Sequence, residues 1–163
     1  HPDRCGSCTR CIDACPTRAI IAPYQLDARR CIAYLTIEHK GAIPMEFREA
    51  IGDRLFGCEE CLSICPWNKW ARETHETHFV PKDYPSATEM LDWDEAKMLE
   101  MMAGTPLKRL GLARLKRNAC MVRGNLKEKA ALAALEKISN NPAEIDFVRE
   151  AATWAIGKIT TVK

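Results

Sequence analysis

Eight of the nine cysteines in this 163-residue chain fall into two groups with close spacing. The first group follows the pattern Cys-x2-Cys-x2-Cys-x3-Cys-Pro, and the second ends in Cys-x2-Cys-x3-Cys-Pro after one cysteine that stands apart. Thiolates at this spacing are the ligand pattern of a protein that holds two 4Fe-4S clusters. The eight residues are Cys5, Cys8, Cys11, Cys15, Cys31, Cys58, Cys61 and Cys65.

The Cys-Pro endings predict that the two runs exchange ligands. In bacterial-type runs the first three cysteines hold one cluster, and the fourth reaches the other cluster. The first predicted ligand set is Cys5, Cys8, Cys11 and Cys65, and the second is Cys15, Cys31, Cys58 and Cys61. The second run lacks its usual leading cysteine, so Cys31 supplies that thiolate from a separate segment.

Two other roles for these cysteines agree less well with the spacing. Structural zinc takes four ligands in a closed tetrahedral site, which requires neither the third cysteine of a run nor the Cys-Pro ending. A disulfide framework suits small secreted domains and is equally indifferent to those endings. The ninth cysteine, Cys120, lies in the apolar sequence Ala-Cys-Met-Val and is predicted to be a small core residue.

Composition bounds the size of the core and the location of the protein. Hydrophobic residues make up 47% of the chain, enough for one sizeable core or two small ones. No apolar run approaches the ~20 residues that span a bilayer, and no signal-peptide pattern opens the chain. We therefore expect a cytoplasmic monomer that does not enter membranes. The chain opens at His1, close to its first cysteine, which indicates an origin in a longer protein.

Charge is unevenly distributed, although the formal net charge is only +2. Residues 105–129 contain eight basic residues and a single acid, Glu128, which gives this segment a local charge of +7. The basic residues are Lys108, Arg109, Arg114, Lys116, Arg117, Arg123, Lys127 and Lys129. Such a stripe is suited to a phosphate backbone, and the alternative is a solvated helical face.

The order of patterns along the chain predicts two parts joined by a connector. Residues 1–70 are expected to form a small α+β domain of the bacterial ferredoxin type around two clusters. Within it, residues 20–27 read as an extended segment with a turn, and residues 44–51 as a helix. Residues 71–85 form a polar connector, and residues 86–163 form a helical domain. The predicted fold class is therefore mainly α.

Helix-start signals recur in residues 86–163. Ser86 and Glu89 form a capping box, and Asp94 is placed to cap the following helix. Pro106 and Pro142 each lie just inside a predicted helix start. The methionines that follow Asp94 at helical spacing are predicted to fill the core.

A weak internal repeat with an offset of 33 residues links two of the predicted helices. The matched pairs are Leu112 and Ile145, Leu115 and Val148, Lys116 and Arg149, Ala119 and Ala152, and Gly124 and Gly157. A repeat of this length predicts stacked helix pairs of the HEAT or armadillo kind. Such stacks commonly expose a long binding face, which favours a binding role for the basic stripe.

Two segments resemble the epoxyqueuosine reductases, enzymes of the last step of queuosine formation in tRNA. They are residues 26–38, LDARRCIAYLTIE, and residues 57–68, GCEECLSICPWN. Ordinary ferredoxins do not share the R-C-I-x-Y-L-T-I-E frame around Cys31. The later Arg117-Asn118 and Gly124-Asn125 resemble the helical domain of the same family, so the resemblance covers nearly the whole chain.

This resemblance implies a reaction and its cofactors. Family members bind cobalamin beside one cluster, receive electrons through both clusters from a donor such as flavodoxin or ferredoxin, and reduce epoxyqueuosine in the anticodon loop of tRNA. Their catalytic aspartate and most of the cobalamin pocket belong to an N-terminal domain that is absent from this chain. The resemblance therefore assigns no catalytic residue here and predicts that the chain alone is inactive.

The resemblance also suggests which residues meet the other ligands. The residues predicted at the cobalamin edge are Glu38, Cys58 and Glu59. The sequence departs from the family at two positions: Ala33 stands where serine is common, and Glu59 stands where aspartate is common. The candidates for tRNA phosphates are Lys40, Arg109, Arg114, Arg117 and Arg123. Two alternatives stay open: a ferredoxin-type electron-transfer module fused to a helical-repeat binding domain, and a tRNA-binding scaffold with structural clusters.

Overall fold

Helices dominate the structure, a computed structural model that describes residues 4–77 and 83–161. The α-helices are α1 (Arg10–Asp13), α2 (Ile32–Ile37), α3 (Met45–Ile51), α4 (Glu60–Ser63), α5 (Ala87–Leu91), α6 (Glu95–Met101), α7 (Gly111–Asn125), α8 (Leu132–Ser139) and α9 (Asp146–Thr160). Short 3-10 helices lie at Ala28–Arg30, Pro66–Trp70, Pro106–Leu110 and Lys129–Ala131. The predicted mainly α class is confirmed. Among the described helices, none is both long enough and apolar enough to cross a bilayer.

A hairpin follows the first cysteine run, where the sequence predicts an extended segment and a turn. Strand β1 (Ile20–Ala22) pairs antiparallel with β2 (Gln25–Leu26). Tyr24 has a φ of 60°, the left-handed conformation that a type II turn requires at the position after its proline, here Pro23. The N–H of Asp27 then donates to the carbonyl of Ala19 at 2.8 Å. The hairpin thus returns the chain to the first run before Cys31.

Local capping chemistry sets several helix starts as predicted. Pro44 is the N-cap residue of α3. Ser86 and Glu89 form the reciprocal capping box of α5, and the Asp94 carboxylate accepts the N–H of Lys97 at 2.7 Å at the start of α6. The Ser86 and Asp94 side chains satisfy N–H groups that have no partner within the first turn of a helix. Pro44 has no such side chain, and its carbonyl accepts the N–H of Phe47 at 3.0 Å.

The predicted helix start at Pro142 is wrong, because Asn141 organises a turn instead. The Asn141 side chain accepts the N–H of Ala143 at 3.0 Å, and its carbonyl accepts the N–H of Glu144 at 3.1 Å. Asparagine commonly captures nearby backbone groups in this way. Helix α9 therefore begins later, at Asp146.

One hydrophobic core runs through both predicted domains. Ile32 and Leu35 of α2 and Ile51 of α3 belong to the same buried cluster as the inward faces of α7, α8 and α9. The predicted connector, residues 71–85, therefore does not separate two cores. Its residues 78–82 lie outside the described residues, as do residues 1–3 and 162–163 at the ends of the predicted domains.

A second buried cluster lies between α5, α6 and the start of α7. Met98 and Met102 are almost fully buried in it, together with Trp93 and Leu115. The flexible, polarisable methionine side chain fills irregular gaps in a core. The prediction that these methionines are core residues is confirmed.

Helices α7 and α9 approach each other closely near one glycine of the repeat. The matched residues Leu115, Val148, Ala119 and Ala152 are all fully buried. A Cβ atom at Gly124 would lie 2.8 Å from Cζ3 of Trp154 and 2.9 Å from Cα of Ala155, so only glycine allows this contact. The matched Gly157 has no such neighbour within 4 Å. The repeat is therefore asymmetric here, and the HEAT-like class stays a prediction.

Candidate metal centres

The eight grouped cysteines line two cavities. The inner cavity has a volume of about 360 Å³, and the outer cavity has a volume of about 270 Å³. Cys15, Cys31, Cys58 and Cys61 line the inner cavity, and Cys5, Cys8, Cys11 and Cys65 line the outer cavity. This division matches the two predicted ligand sets, including the exchange of the last cysteine of each run.

A single helical turn inside each run produces this exchange. Helix α1 ends just before Cys15, whose N–H donates to the carbonyl of Ile12 at 3.4 Å. Helix α4 ends in the same way before Cys65, whose N–H donates to the carbonyl of Leu62 at 3.1 Å. The proline that follows each of these cysteines has no N–H and cannot extend the helix. The last cysteine of each run is thereby separated from the first three.

Helix α2 brings Cys31, the cysteine that stands apart, to the inner cavity. Cys31 is the N-cap residue of α2, and its carbonyl accepts the N–H of Leu35 at 2.9 Å. Ile32 and Leu35 are buried in the main core. Core packing, and not a neighbouring cysteine, therefore sets the position of this thiol.

Backbone groups of the hairpin segment favour the thiolate form of Cys15. Partial burial is the largest single influence, and by itself it raises the pKa of the thiol. The backbone N–H groups of Ala19, Ile20 and Thr17, with the Thr17 hydroxyl, outweigh burial and hold the pKa of Cys15 below its ordinary value. The N–H of Ala19 lies 3.2 Å from Sγ. A thiolate is the form that binds iron.

The two cavities adjoin each other at Cys61. Partial burial raises the pKa of the Cys61 thiol, and the nearby Cys58 and Cys31 of the inner cavity raise it further. Cys11 of the outer cavity is also close enough to raise the pKa of Cys61. Thiolates this close together repel one another, and a cationic group bound between them relieves that repulsion.

The outer cavity opens at a basic, aromatic surface. Its rim contains Arg4, Arg10 and Lys69, together with Trp67 and Trp70. The two tryptophan rings lie 4.7 Å apart and are 47% and 59% exposed. The Lys69 ammonium lies 4.1 Å from the centre of the Trp70 ring, a cation–π distance. This rim therefore presents positive charge and flat apolar surface to solvent.

The arrangement of the cysteines favours a group larger than one metal ion. Within residues 4–77 and 83–161, no three histidine, cysteine, aspartate or glutamate side chains converge as ligands of a single ion do. Each set of four cysteines instead lines a cavity of several hundred Å³. A tetrahedral zinc ion with four bonds of about 2.3 Å needs a tighter cage.

A polar groove borders the inner cavity on the side of Cys58. Gly57, Cys58 and Glu59 line it, with Asp53 and Ser63 among the other residues, and its volume is about 500 Å³. Cys58 belongs to both the groove and the inner cavity. The groove thus gives a neighbouring molecule direct access to one wall of that cavity.

Glu38, the third residue predicted at the cobalamin edge, has other partners. Its carboxylate pairs with Arg109 at 2.6 Å. Its carbonyl lies 3.4 Å from a nitrogen of Arg114, which also binds the carbonyl of Ile37 at 2.7 Å. Glu38 does not line the groove with Cys58 and Glu59.

The prediction that Arg117 contacts tRNA phosphates is wrong, because the side chain is buried. Its relative exposure is 0%. Its guanidinium donates to the carbonyls of Leu35, His39 and Gly41 at 2.6–2.8 Å, and twice to the Asn118 side chain. Burial, and secondarily the charge of neighbouring Arg114, lowers the pKa of Arg117 to about 10.

Two other candidates from the basic stripe are largely engaged within the protein. Arg114 donates to the carbonyls of Leu110 and Arg109 at 2.6 Å, in addition to its bonds to α2. Arg123 pairs with Glu128, and only 13% of its side chain is exposed. The stripe is therefore not a continuous solvated face, since α7 turns several of its charges inward.

Lys40 and Arg109 are the two tRNA candidates that remain at the surface. Lys40 is exposed and lines a shallow cavity beside the start of α7. The Arg109 side chain is 67% exposed and pairs with Glu38. A surface ion pair of this kind contributes little to stability, so Arg109 can exchange its partner at small cost.

Sequence reasoning missed the structural roles of Thr36 and Asn118. Both are fully buried polar residues, and both form hydrogen bonds near Cys58. The one sequence signal was their place within the segments that resemble a known family. Cys120 is buried as predicted, and burial raises the pKa of its thiol to about 12.

A family model and several known proteins match this chain. Residues 4–68 match a family described as a 4Fe-4S double cluster binding domain. The chain is 49% identical over 158 residues to the epoxyqueuosine reductase of Xanthomonas campestris and 45% identical to that of Pseudomonas aeruginosa. In each case the match covers 94% of this chain, and 44% or 43% of the relative.

Solved structures give the same result for the fold. The crystal structure of an epoxyqueuosine reductase with an epoxyqueuosine-modified tRNA-Tyr stem loop superposes with a TM-score of 0.89 and 36% identity. That match covers 98% of this chain and 43% of the solved chain. The chain thus spans less than half the length of the relatives it matches. The chain is thus homologous, in sequence and in fold, to a segment of the epoxyqueuosine reductases.

Proposed function

We propose that this chain holds two 4Fe-4S clusters and forms the electron-relay portion of an enzyme that reduces epoxyqueuosine to queuosine in tRNA. The observation that carries the proposal is the division of eight cysteines between two adjoining cavities. The homology supports it, because the relatives that match 94% of this chain are named epoxyqueuosine reductases.

The residues present are chemically suited to two clusters. Each cavity offers four thiols, the number that one 4Fe-4S cluster takes from a protein. Bound there, the clusters supply one-electron storage at potentials set by charge, hydrogen bonding and exposure. The backbone N–H groups that lower the pKa of Cys15 are hydrogen bonds of the kind that tune such a potential.

The two cavities differ in their surroundings, which favours one direction of electron flow. The outer cavity opens between Trp67 and Trp70 at the surface, where a donor protein such as a flavodoxin or a ferredoxin can approach. The inner cavity adjoins the groove at Cys58 and Glu59. We therefore assign electron entry to the outer cavity and electron exit to the inner cavity.

The groove is the proposed edge of the cobalamin site. Cys58 and Glu59 line it, and the bare backbone of Gly57 leaves room for a close approach. A groove of this volume holds only the edge of so large a cofactor, so the longer protein must supply the remaining contacts. Glu38 lies outside the groove and is the weakest of the three cobalamin assignments.

The proposed tRNA contacts of this segment are Lys40 and Arg109. Both are exposed near the start of α7, and exposed cations without a buried structural role can neutralise phosphates. A solved relative carries an epoxyqueuosine-modified tRNA stem loop, which supports a tRNA substrate for the enzyme to which this chain belongs.

Cluster content and turnover test the proposal together. After anaerobic reconstitution, we expect about eight iron and eight sulfide per chain, two clusters of four each. The longer protein with cobalamin and a strong reductant should convert epoxyqueuosine in tRNA, whereas residues 1–163 alone should not. Zinc without sulfide would overturn the cluster assignment. Clusters without cobalamin binding by the longer protein would instead favour a ferredoxin-type electron-transfer module.

A further inference from the structure

The two Cys-Pro corners, residues 15–19 and 65–69, begin alike and then diverge. In each, the carbonyl of the cysteine accepts the N–H of the residue three positions later, Arg18 at 3.1 Å and Asn68 at 3.0 Å. Asn68 lies inside the 3-10 helix Pro66–Trp70. Arg18 instead has a φ of 51°, in the left-handed region that residues other than glycine, asparagine and aspartate rarely adopt. The two corners therefore direct their following N–H groups differently.

The left-handed turn at Arg18 directs donors toward the sulfur of Cys15. The N–H of Ala19 lies 3.2 Å from Sγ, and the Thr17 hydroxyl lies 3.8 Å from the same atom. The N–H groups of Thr17 and Ile20 also point to this sulfur. Successive N–H groups around a left-handed residue form a concave site for an anion. One ligand of the inner set is thus surrounded by donors that the backbone supplies.

The second corner gives Cys65 no comparable surroundings. There the chain uses its polar backbone groups within the helical turn, where the carbonyl of Asn68 accepts the N–H of Ala71 at 2.9 Å. Within residues 4–77 and 83–161, no hydrogen bond to the sulfur of Cys65 is found. Two cysteines that occupy the same place in their runs therefore differ in the donors around their sulfur atoms.

Contacts from outside the first corner hold it in this conformation. A residue other than glycine stays left-handed only where the surrounding structure imposes it. Nε of Arg30 donates to the carbonyl of Thr17 at 3.1 Å, and the carbonyl of Ala19 accepts the N–H of Asp27 at 2.8 Å. Thr17 and Ala19 are almost fully buried, whereas the Arg18 side chain is exposed. The constraint on Arg18 therefore acts through its backbone.

We propose that Arg18 is a positioning residue of the inner cluster, and that its left-handed backbone raises the potential of this cluster by turning N–H groups onto the Cys15 sulfur. This inference rests on the proposed cluster function. Reduction makes a cluster more negative, and N–H dipoles directed at a ligand sulfur stabilise the more negative state. The outer cluster receives no such contribution through Cys65. The difference favours the passage of an electron from the outer cluster to the inner one.

A redox titration followed by electron paramagnetic resonance tests the role of this backbone conformation. In Arg18→Val the β-branched side chain disfavours a positive φ, and in Arg18→Pro the ring excludes it by fixing φ at about −65°. Each should lower the midpoint potential of the inner cluster alone. We expect about a tenfold fall in the ratio of reduced to oxidised inner cluster at a fixed potential, ~59 mV for a one-electron couple. Cys31→Ser, which alters the inner ligand set alone, assigns the two signals.

Conservative variants at the same position separate conformation from charge. Arg18→Gly and Arg18→Asn both remove the guanidinium, but glycine and asparagine adopt the left-handed region readily. Both should retain the inner potential of the wild type. Lys127→Val is the matched control for strain, because Lys127 also has a φ of 51° and lines neither cavity. It should destabilise the fold in the same way and leave both potentials unchanged.

The Thr17 hydroxyl provides a second measurement that does not alter the backbone. Thr17→Val keeps the side-chain volume but removes the hydroxyl near the Cys15 sulfur. The ratio of reduced to oxidised inner cluster should fall by about threefold, since one weak donor is lost. Thr17→Ser keeps the donor and should retain the wild-type ratio. If Arg18→Pro does not fold, Arg18→Val and Thr17→Val decide the question.

Four outcomes would contradict the inference. The inner potential could stay constant in the folded Arg18 variants, both potentials could fall equally, Arg18→Gly could lower the inner potential as much as Arg18→Val, or Lys127→Val could reproduce the effect. If the unmodified chain forms no clusters at all, the proposed function itself fails. Intact clusters with unchanged potentials reject only the role assigned to Arg18.

Discussion

The inner and outer cavities each offer four thiols, but in different surroundings. The outer cavity is rimmed by Arg4, Arg10 and Lys69, and no acid is among its described lining residues. The inner cavity has largely apolar walls, and its one described charged lining residue, Glu60, pairs with Arg54. The outer cavity therefore presents positive charge to solvent, whereas the inner cavity presents apolar surface that includes the exposed Tyr24 and Leu26.

This difference shows how one ligand chemistry can serve two tasks. Charges at an exposed rim are screened by salt and act mainly on the approach of a partner. Charges and dipoles among the apolar walls of the inner cavity act through a medium of lower dielectric than water, so each has a larger effect on a bound cluster. Exchange with a donor suits the outer cavity, and a finely set potential suits the inner one.

Removal of a thiol should have the largest effect, because it should remove one cluster and leave the other. Cys31→Ser should abolish the inner cluster and reduce iron from about eight to about four per chain. Cys65→Ser should damage the outer cluster, although its own run belongs mostly to the inner cavity. Iron, sulfide and paramagnetic resonance measurements check both. Cys120→Ser is the control, because Cys120 lines neither cavity and both signals should persist.

The opposite result for Cys65 would remove the basis of the assignment. If Cys65→Ser damages the inner cluster and leaves the outer one intact, each run binds its own cluster. The exchange of ligands between runs would then be wrong.

Charge reversal at the outer rim should have the next largest effect. Arg10→Glu and Lys69→Glu should slow cluster reduction by an acidic donor protein, reduced flavodoxin, about tenfold at low ionic strength. Reduction by dithionite should change little, because it needs no docking surface. Lys137→Glu, a reversal of an exposed charge on α8 that does not line the outer cavity, should behave as the wild type in stopped-flow traces.

Added salt should erase the difference between these variants and the wild type, since the effect is electrostatic. A loss of tRNA affinity without any change in the rate of reduction would instead identify the rim as a nucleic-acid surface. Equal rates with flavodoxin in all variants would place electron entry elsewhere.

The packing that supports the inner cavity can be tested at Gly124. Gly124→Ala should lower the free energy of unfolding by about 1–3 kcal/mol, because its Cβ would overlap Trp154 and Ala155. Gly157→Ala is the matched control in α9. It should stabilise the protein by about 0.5–1 kcal/mol, because alanine loses less backbone entropy in a helix than glycine does. Urea unfolding measures both. Equal effects at the two glycines would mean that α7 and α9 do not meet closely at Gly124.

The smallest effect is expected for tRNA binding by the longer protein. Lys40→Ala and Arg109→Ala should each reduce the slope of log affinity against log salt concentration by about one. Arg123→Ala should leave the slope unchanged, because Arg123 is already paired with Glu128. Filter binding at several salt concentrations checks the three variants. A change confined to Arg123→Ala would reverse the assignment of the exposed and engaged cations.

The cysteine spacing by itself determined how the thiols divide between two sites. The reason is local. In each run a single helical turn ends at a Cys-Pro pair, because proline cannot extend a helix. The capping residues Ser86 and Asp94 are local in the same sense, since their partners lie three residues away. Short-range hydrogen bonds of this kind can be predicted from a sequence.

Only the tertiary structure decided the fate of the basic stripe. Residues 105–129 predict a cationic face, but Arg117 and Arg114 bind carbonyls of residues 35–41, which lie 76 or more positions away along the chain. A guanidinium has five donors, and where it is buried those donors must be satisfied by whatever backbone the fold brings near it. Composition records the charge of such a residue, whereas long-range packing decides whether that charge meets solvent, a ligand or the interior of the protein.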